Sequence, residues 1–261
     1  MSFLKVEHDL PSFSPDVIFN IGSFPVASTT LYLVFIAVSL LVIMSLFSKR
    51  LQVIPGQAQL TVEAIYDWVV NLVSGITRNE ERTKLILPAI GSIFTFILIS
   101  NFAGVIPGLT AITYDHDAIF RGPTSDFNTT FALAFGSVLA INIASVKELG
   151  FATYFNKFIK IGGVIKGFSK GISAGLMSLV DLFIGLLELV GEITKVASLA
   201  FRLFGNMFAG KVLMTILLGF FAYGVPALWL AMETLAIVVQ TVVFTALVAT
   251  FYALAVEHDE H

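Results

Sequence analysis

The 261-residue chain contains no cysteine and few charged residues. Without cysteine it has no disulfide, no thiolate metal site and no cysteine nucleophile. Charged residues make up 13% of the chain and hydrophobic residues 57%, whereas a typical soluble domain is about 25% charged. The composition therefore predicts an integral membrane protein. It predicts a helical one, because the apolar runs are too long for the strands of a membrane β-barrel.

Motifs for chemistry on a small molecule are also missing. The sequence has no phosphate-binding loop, metal-ligand cluster or catalytic triad, so we expect no enzyme activity of its own, no cofactor and no nucleic-acid partner. It has no internal repeat, which counts against the plan of many secondary transporters. Residues 1–20 lack the continuous apolar core of a cleavable signal, so we expect later helices to drive membrane insertion.

Five apolar segments are long enough to cross a membrane as helices. They lie at residues 29–47, 85–106, 129–146, 171–219 and 227–256. The fourth would be about 73 Å long as a helix, more than twice the thickness of a bilayer core. Because its centre contains no proline and no polar turn cluster, one long, strongly tilted helix is favoured over two spans joined by a tight turn. We expect the last helix to be tilted as well.

Residues 57–76 follow a helical period, with Glu63, Asp67 and Asn71 on one side and apolar residues on the other. This pattern predicts an amphipathic helix in the membrane interface, although an ordinary packed helix fits it equally well. The whole chain, 1–261, is predicted to be one membrane domain. Its parts are an external N-terminal segment (1–28), peripheral helices (29–170) and a tilted helical hairpin (171–256).

The basic residues are concentrated in two connecting segments. Five follow the first apolar segment and five follow the third: Lys49, Arg50, Arg78, Arg82 and Lys84, then Lys147, Lys157, Lys160, Lys166 and Lys170. The positive-inside rule places both groups in the cytoplasm, which gives five membrane passes, an external N-terminus and a cytoplasmic C-terminus. The second segment, 151–170, is interpreted as a flexible surface loop.

Ionisable residues mark one face of the long fourth segment. Four of them are seven residues apart: Asp181, Glu188, Lys195 and Arg202. A step of seven residues rotates by only about 20° around a helix, so all four share one face. Ser198 and Asn206 lie one turn on either side of Arg202 on that face. A guanidinium stays protonated, and burying it at a bilayer centre costs about 3 kcal/mol or more, so Arg202 is expected to have a partner.

The final segment carries a second polar pair, Glu233 and Gln240. Counting from the hairpin turn places Lys211 and Glu233 at similar depth, where the two can pair. With Glu188 toward one side of Arg202 and Glu233 toward the other, the pattern is typical of two hydrated half-paths separated by a fixed positive charge. A set of structural ion pairs that fixes helix register is the alternative.

Single residues have plainer interpretations too. The Lys195 side chain can simply extend to the membrane interface. The Ser198 hydroxyl can simply form a hydrogen bond to the backbone of its own helix. Glu192 fits either a second member of the inner path or a partner of Lys195.

At Arg202 the sequence resembles a known family. Residues 198–210 read SLAFRLFGNMFAG, which is similar to the signature of subunit a of the rotary F-type ATP synthase. Residues 100–107, SNFAGVIP, and 123–130, PTSDFNTT, match as well, as does Gln240. The resemblance implies a non-catalytic stator subunit in a bacterial plasma (inner) membrane. Its last two helices would press against a ring of c subunits, each with one mid-membrane carboxylate, beside peripheral-stalk b subunits.

The resemblance also implies a role for each candidate residue in proton translocation. Arg202 would face the ring carboxylate. The outer half-channel would be lined by Asn206, Glu233, Gln240 and Asp126, and the inner one by Glu188 with Ser198. Protons would enter from outside, neutralise a ring carboxylate, travel nearly a full turn and leave by the inner path.

One departure concerns Lys211 and Glu233. Many bacterial members of the family have an acid at the first position and a histidine at the second, so acid and base are exchanged here. Lys211 relays no proton unless burial strongly lowers its pKa. A sodium-coupled version of the same complex is therefore one alternative. Two others are a proton-coupled transporter that binds an anion at Arg202 and a structural membrane scaffold.

Overall fold

A computed structural model describes residues 17–21, 24–106, 113–114, 117–118, 122–151, 154, 158, 172–220 and 224–257. Within these ranges the chain forms six α-helices: α1 (Ser28–Ser48), α2 (Gln57–Thr77), α3 (Glu80–Val105), α4 (Phe127–Leu149), α5 (Ile172–Phe220) and α6 (Val225–Glu257). A short 3-10 helix, Pro123–Ser125, precedes α4. The predicted all-α membrane class is confirmed.

Two small antiparallel hairpins accompany the helices and are not predicted from the sequence. Strand β1 (Val17–Ile21) pairs with β2 (Phe24–Ala27), and β3 (Thr113–Tyr114) pairs with β4 (Asp117–Ala118). The first hairpin precedes α1 and the second lies between α3 and α4, and in both the strands are too short to be distinguished from a loop in the sequence.

Helices α1, α3, α4 and α6 are long and apolar enough to cross a membrane. Helix α5 is a single continuous helix of 49 residues, so the fourth apolar segment is not two spans joined by a turn. The prediction of one long helix is therefore confirmed. Its continuity follows from the absence of proline over its whole length.

Helix α3 begins earlier than its apolar run predicts. The side chain of Asn79 accepts hydrogen bonds from the backbone N–H groups of Glu81 and Arg82, at 2.9 and 3.3 Å. This N-cap satisfies two of the free N–H groups of the first turn, so the charged residues after it join the helix. Arg78, with φ of 51°, ends α2 in the left-handed conformation and turns the chain sharply into α3.

The apolar core lies between α2, α3, α4, α5 and α6. Its fully buried side chains include Ile86, Ile90, Ile97, Ile141, Leu199, Leu203, Phe244 and Tyr252. Helix α4 packs against α5 and α6, and α3 packs against α6. Helix α1 is peripheral, and most of its large apolar side chains are exposed, Leu41 by 72%. Helix α2 buries only its second half, at Val69, Val73 and Thr77.

The predicted surface loop at residues 151–170 is wrong at its start. Phe151, Tyr154 and Phe158 are helical. Tyr154 and Phe158 are buried, and their rings meet edge to face with centroids 5.4 Å apart. The spacing of four residues between these aromatics is a helical signal, which the neighbouring lysines obscure in the sequence. The remaining residues of this segment, including Lys157, Lys160, Lys166 and Lys170, lie outside the described residues.

Candidate functional site

Arg202 lies on the side of α5 that faces away from the core. Leu199 and Leu203, on the other side of the helix, are almost completely buried, whereas Ser198 and Arg202 are exposed. Among the described residues, no acidic side chain lies within 4.0 Å of the Arg202 guanidinium. The position therefore presents a permanent positive charge outward from the middle of an apolar helix.

A second group of charges lies about two turns before Arg202. The Lys195 ammonium is 2.6 Å from Glu192 Oε1, and Asn142 on α4 donates to the other carboxylate oxygen at 3.5 Å. The same ammonium lies 5.3 Å from the centre of the Phe251 ring on α6. The hypothesis that Glu192 is the partner of Lys195 is therefore confirmed. This pair joins α4, α5 and α6.

Tyr154 lies next to this group, and sequence reasoning missed it. Burial, together with the negative charges of Glu192 and Glu188, raises the pKa of Tyr154 to about 12. The phenol therefore keeps its proton at any physiological pH and can only donate it to a hydrogen bond. Glu188 itself is half-buried, whereas Asp181, earlier in the stripe, is exposed. The structure thus brings Glu188 and Glu192 together and leaves Asp181 apart from them.

On the other side of Arg202, a cavity of about 220 Å³ opens between α5 and α6. Its lining residues are Asn206, Met207, Ala209, Gly210, Leu213, Trp229, Met232, Glu233 and Ala236. Two predicted site residues, Asn206 and Glu233, therefore place their polar groups in one cavity that is otherwise lined mainly by apolar residues. Trp229, whose buried indole N–H has no partner among the described residues, also lines it.

Gly210 leaves room for the Glu233 carboxylate. A Cβ atom at Gly210 would lie 2.6 Å from Glu233 Oε1 and 3.2 Å from its carboxyl carbon. Glu233 is itself only 8% exposed, and about two turns further along α6, Gln240 and Thr241 are buried too. The side-chain nitrogen of Gln240 has no hydrogen-bond partner among the described residues. The absence of a side chain at position 210 therefore allows the Glu233 carboxylate to lie against α5.

Lys211 is directed toward the segment before α4. Its ammonium donates a hydrogen bond to Ser125 Oγ at 2.8 Å, and it lies 2.9 Å from where a Cβ of Gly122 would be. Lys211 is close enough for its charge to act on the Glu233 carboxyl, although no ion pair within 4.0 Å joins the two side chains. Lys211 and Glu233 thus lie near one another, as their similar depth predicts, but they form no direct ion pair.

Asp126 is buried at the start of α4, only 4% exposed. One carboxylate oxygen caps α4 by accepting from the N–H of Asn128 at 3.0 Å, and the other accepts from the Thr29 hydroxyl on α1 at 2.8 Å. Asp126 does not line the cavity beside Glu233. Its visible contacts are those of an N-cap that also ties α1 to α4.

Comparison with known proteins identifies the family. The family model described as ATP synthase A chain matches residues 29–253. The chain is 30% identical over 249 residues to "ATP synthase subunit a, sodium ion specific" of Propionigenium modestum, covering 94% of this chain and 78% of that protein. It is 28% identical over 239 residues to ATP synthase subunit a of Moorella thermoacetica, covering 92% and 95%. With the same subunit of Syntrophobacter fumaroxidans the identity is 29% over 247 residues, covering 94% and 90%.

A helical membrane protein with an outward-facing arginine in mid-helix and a cavity that holds a buried acid beside it belongs to the class of ion-translocating membrane subunits. Within that class, the chain belongs to the ATP synthase A chain family, that of subunit a of the F-type ATP synthase. The resemblance stated from the signature around Arg202 is confirmed.

Proposed function

We propose that this chain is the stator subunit that carries protons to and from the carboxylates of a rotating c-ring. It forms no ATP itself, and the flow it guides drives synthesis on other subunits. The observation that carries the proposal is the exposed Arg202 on the outer face of α5, which has no acidic partner within 4.0 Å among the described residues. A carboxylate that moves past in apolar surroundings is stabilised there while it is ionised.

The two half-channels follow from the positions of the polar groups. The outer one includes the cavity with Asn206 and Glu233, continues toward Gln240, and has Lys211 and Asp126 at its edge. The inner one includes Glu188 and Ser198. The exposure of Ser198 beside Arg202 and the partly buried position of Glu188 support this assignment. Because Glu192 is paired with Lys195, we assign proton transfer on this side to the half-buried Glu188.

The same proposal sets the topology and the partners. The chain crosses a bacterial plasma (inner) membrane five times, with α5 and α6 strongly tilted, the N-terminus outside and the C-terminus in the cytoplasm. The outward face of α5 binds the c-ring, and the peripheral helices contact lipid and peripheral-stalk b subunits. The distribution of basic residues supports the orientation.

The proposal is tested by reconstituting the complete complex into vesicles and adding ATP. We expect a copurified ring of small subunits with a central acid, and acidification of the lumen at a rate that does not depend on sodium. The relative from Propionigenium modestum makes sodium coupling a specific alternative. It would be established if ATP drives uptake of radioactive sodium and the lumen is not acidified in the absence of a protonophore. ATP hydrolysis without transport of either ion contradicts the proposal.

The Lys211 and Glu233 charges should be energetically coupled. Changing Lys211→Glu and Glu233→Lys together is expected to retain more ATP-driven pumping than the product of the two single effects, because the favourable sign of their interaction is preserved. A glutamate at 211 can still accept a hydrogen bond from Ser125. Neighbouring charges typically couple by about 0.5–3 kcal/mol, so the expected rescue is at least about twofold.

The matched control for this cycle is Lys84→Glu, which reverses an exposed lysine on α3. Combined with Glu233→Lys, it should give effects that multiply. If the Lys211–Glu233 pair multiplies in the same way, the two charges do not interact.

A further inference from the structure

Three side chains from three helices meet at one end of the bundle, far from the cavity. Arg82 on α3 pairs with Glu148 on α4, with Nε 2.7 Å from Oε1. The hydroxyl of Tyr252 on α6 donates a hydrogen bond to the other oxygen, Oε2. Tyr252 is completely buried, and the side chains of Arg82 and Glu148 are only 20% and 24% exposed. We name these three residues the three-helix clamp.

The charges of the clamp are not explained by their own helices. Arg82 lies in the first turn of α3, where the helix dipole favours anions. Glu148 lies in the last turn of α4, where the dipole favours cations. Each charge is therefore at the unfavourable end of its helix. Their attraction for one another offsets this cost, and the pair forms a contact between α3 and α4.

The Arg82 side of the clamp is held rigidly. Asn79 caps the first turn of α3, and the N–H of Arg82 is one of the two groups that it binds. The hydroxyls of Thr77 and Thr83 lie 2.6 Å apart and join the end of α2 to the start of α3. The rigid turn between α2 and α3 thus fixes the position of Arg82. Arg82 binds Glu148, and Glu148 in turn binds Tyr252.

The Tyr252 side of the clamp is connected to the candidate ion path. Tyr252 follows Gln240 by twelve residues, about 18 Å along α6. Its neighbour Phe251 faces the Lys195 ammonium of α5. The last turns of α6 are therefore tied to α3 and α4 by the clamp and contact the Glu192–Lys195 pair on α5. A displacement of this end of α6 would therefore also displace the residues that line both half-channels.

We propose that the three-helix clamp is a positioning device that holds α6 in place while the ring turns against the hairpin. This proposal rests on the proposed function. A rotating ring exerts lateral force on the helices that face it, and α6 carries both Glu233 and Gln240. If α6 shifts, the outer half-channel no longer ends opposite Arg202, and protons leak or fail to load. Arg82, Glu148 and Tyr252 act through α6 and do not carry protons.

The test compares Tyr252→Phe, Glu148→Gln and the charge exchange Arg82→Glu with Glu148→Arg in the complete, reconstituted complex. Two quantities are measured per assembled complex: the ratio of protons pumped to ATP hydrolysed, and passive proton leak under an imposed potential. We expect the first two variants to lower the ratio at least about twofold, as removal of one member of a coupled network does. We expect the exchange, which restores the ion pair, to recover most of it.

The matched control is Glu80→Gln. Glu80 forms a pair with Lys84 at 3.7 Å on the same helix as Arg82, but both side chains are at least 76% exposed. This variant should keep the unmodified ratio. If Tyr252→Phe and Glu148→Gln reduce the amount of assembled complex and leave the ratio and the leak unchanged, the clamp only stabilises the fold and the proposal is overturned. A failure of the unmodified complex to pump would instead contradict the proposed function.

Discussion

Replacing Arg202 by alanine should abolish ATP-driven proton pumping in vesicles. A ring carboxylate that enters the apolar interface in its ionised form then loses its counter-charge. The energetic penalty for a charge at mid-membrane is about 3 kcal/mol or more, which corresponds to at least about a 100-fold loss in rate. The measurement is the initial rate of lumen acidification, divided by the amount of assembled complex.

Because Arg202 is exposed, we expect its replacement to leave the packing of the chain unchanged. The guanidinium has no acidic partner within 4.0 Å among the described residues, so its removal leaves no buried carboxylate unpaired in that part of the chain. We expect normal assembly with subunit c. Leu41→Ala, which truncates an exposed side chain on the peripheral helix α1, is the control and should retain pumping. Normal pumping by the alanine variant at position 202 would refute the counter-charge mechanism.

The helices can be predicted from sequence because their signals are local. Long apolar runs, proline and charged boundaries locate α1, α3, α4 and α6 to within a few residues. The seven-residue spacing through Glu188, Lys195 and Arg202 places these residues on one face of α5. The pair Glu192–Lys195 is also local, three residues apart, and was one of two alternatives that the sequence left open.

The contacts that connect different helices cannot be predicted in this way. Lys211 and Ser125 are 86 residues apart, and Tyr252 and Glu148 are 104 apart. Helical period determines which side of a helix a residue occupies, but it does not determine which neighbour that side meets. For the same reason, depth counted from the hairpin turn correctly put Lys211 near Glu233 but did not predict that its ammonium binds Ser125.

Gly210→Ala is expected to reduce pumping at least about tenfold, the loss for a barrier increase of about 1.4 kcal/mol. The new methyl group would lie 2.6 Å from Glu233 Oε1, so the carboxylate has to leave its place in the cavity. The change does not weaken α5, because alanine in a helix interior is more favourable than glycine by about 1 kcal/mol. A loss of pumping with undiminished assembly therefore reports on the position of the acid and not on the stability of the fold.

Two further variants separate these effects. Gly219→Ala adds the same methyl group in the last turn of α5, at a site with nothing within 4 Å of the new Cβ, so it should pump normally. Glu233→Asp shortens the acid by one methylene and leaves space for the methyl group of Gly210→Ala, so the double variant should pump better than Gly210→Ala alone. If Gly210→Ala pumps normally, the location of the Glu233 carboxylate against α5 has no part in proton transfer. The outer half-channel would then have to be assigned to other groups.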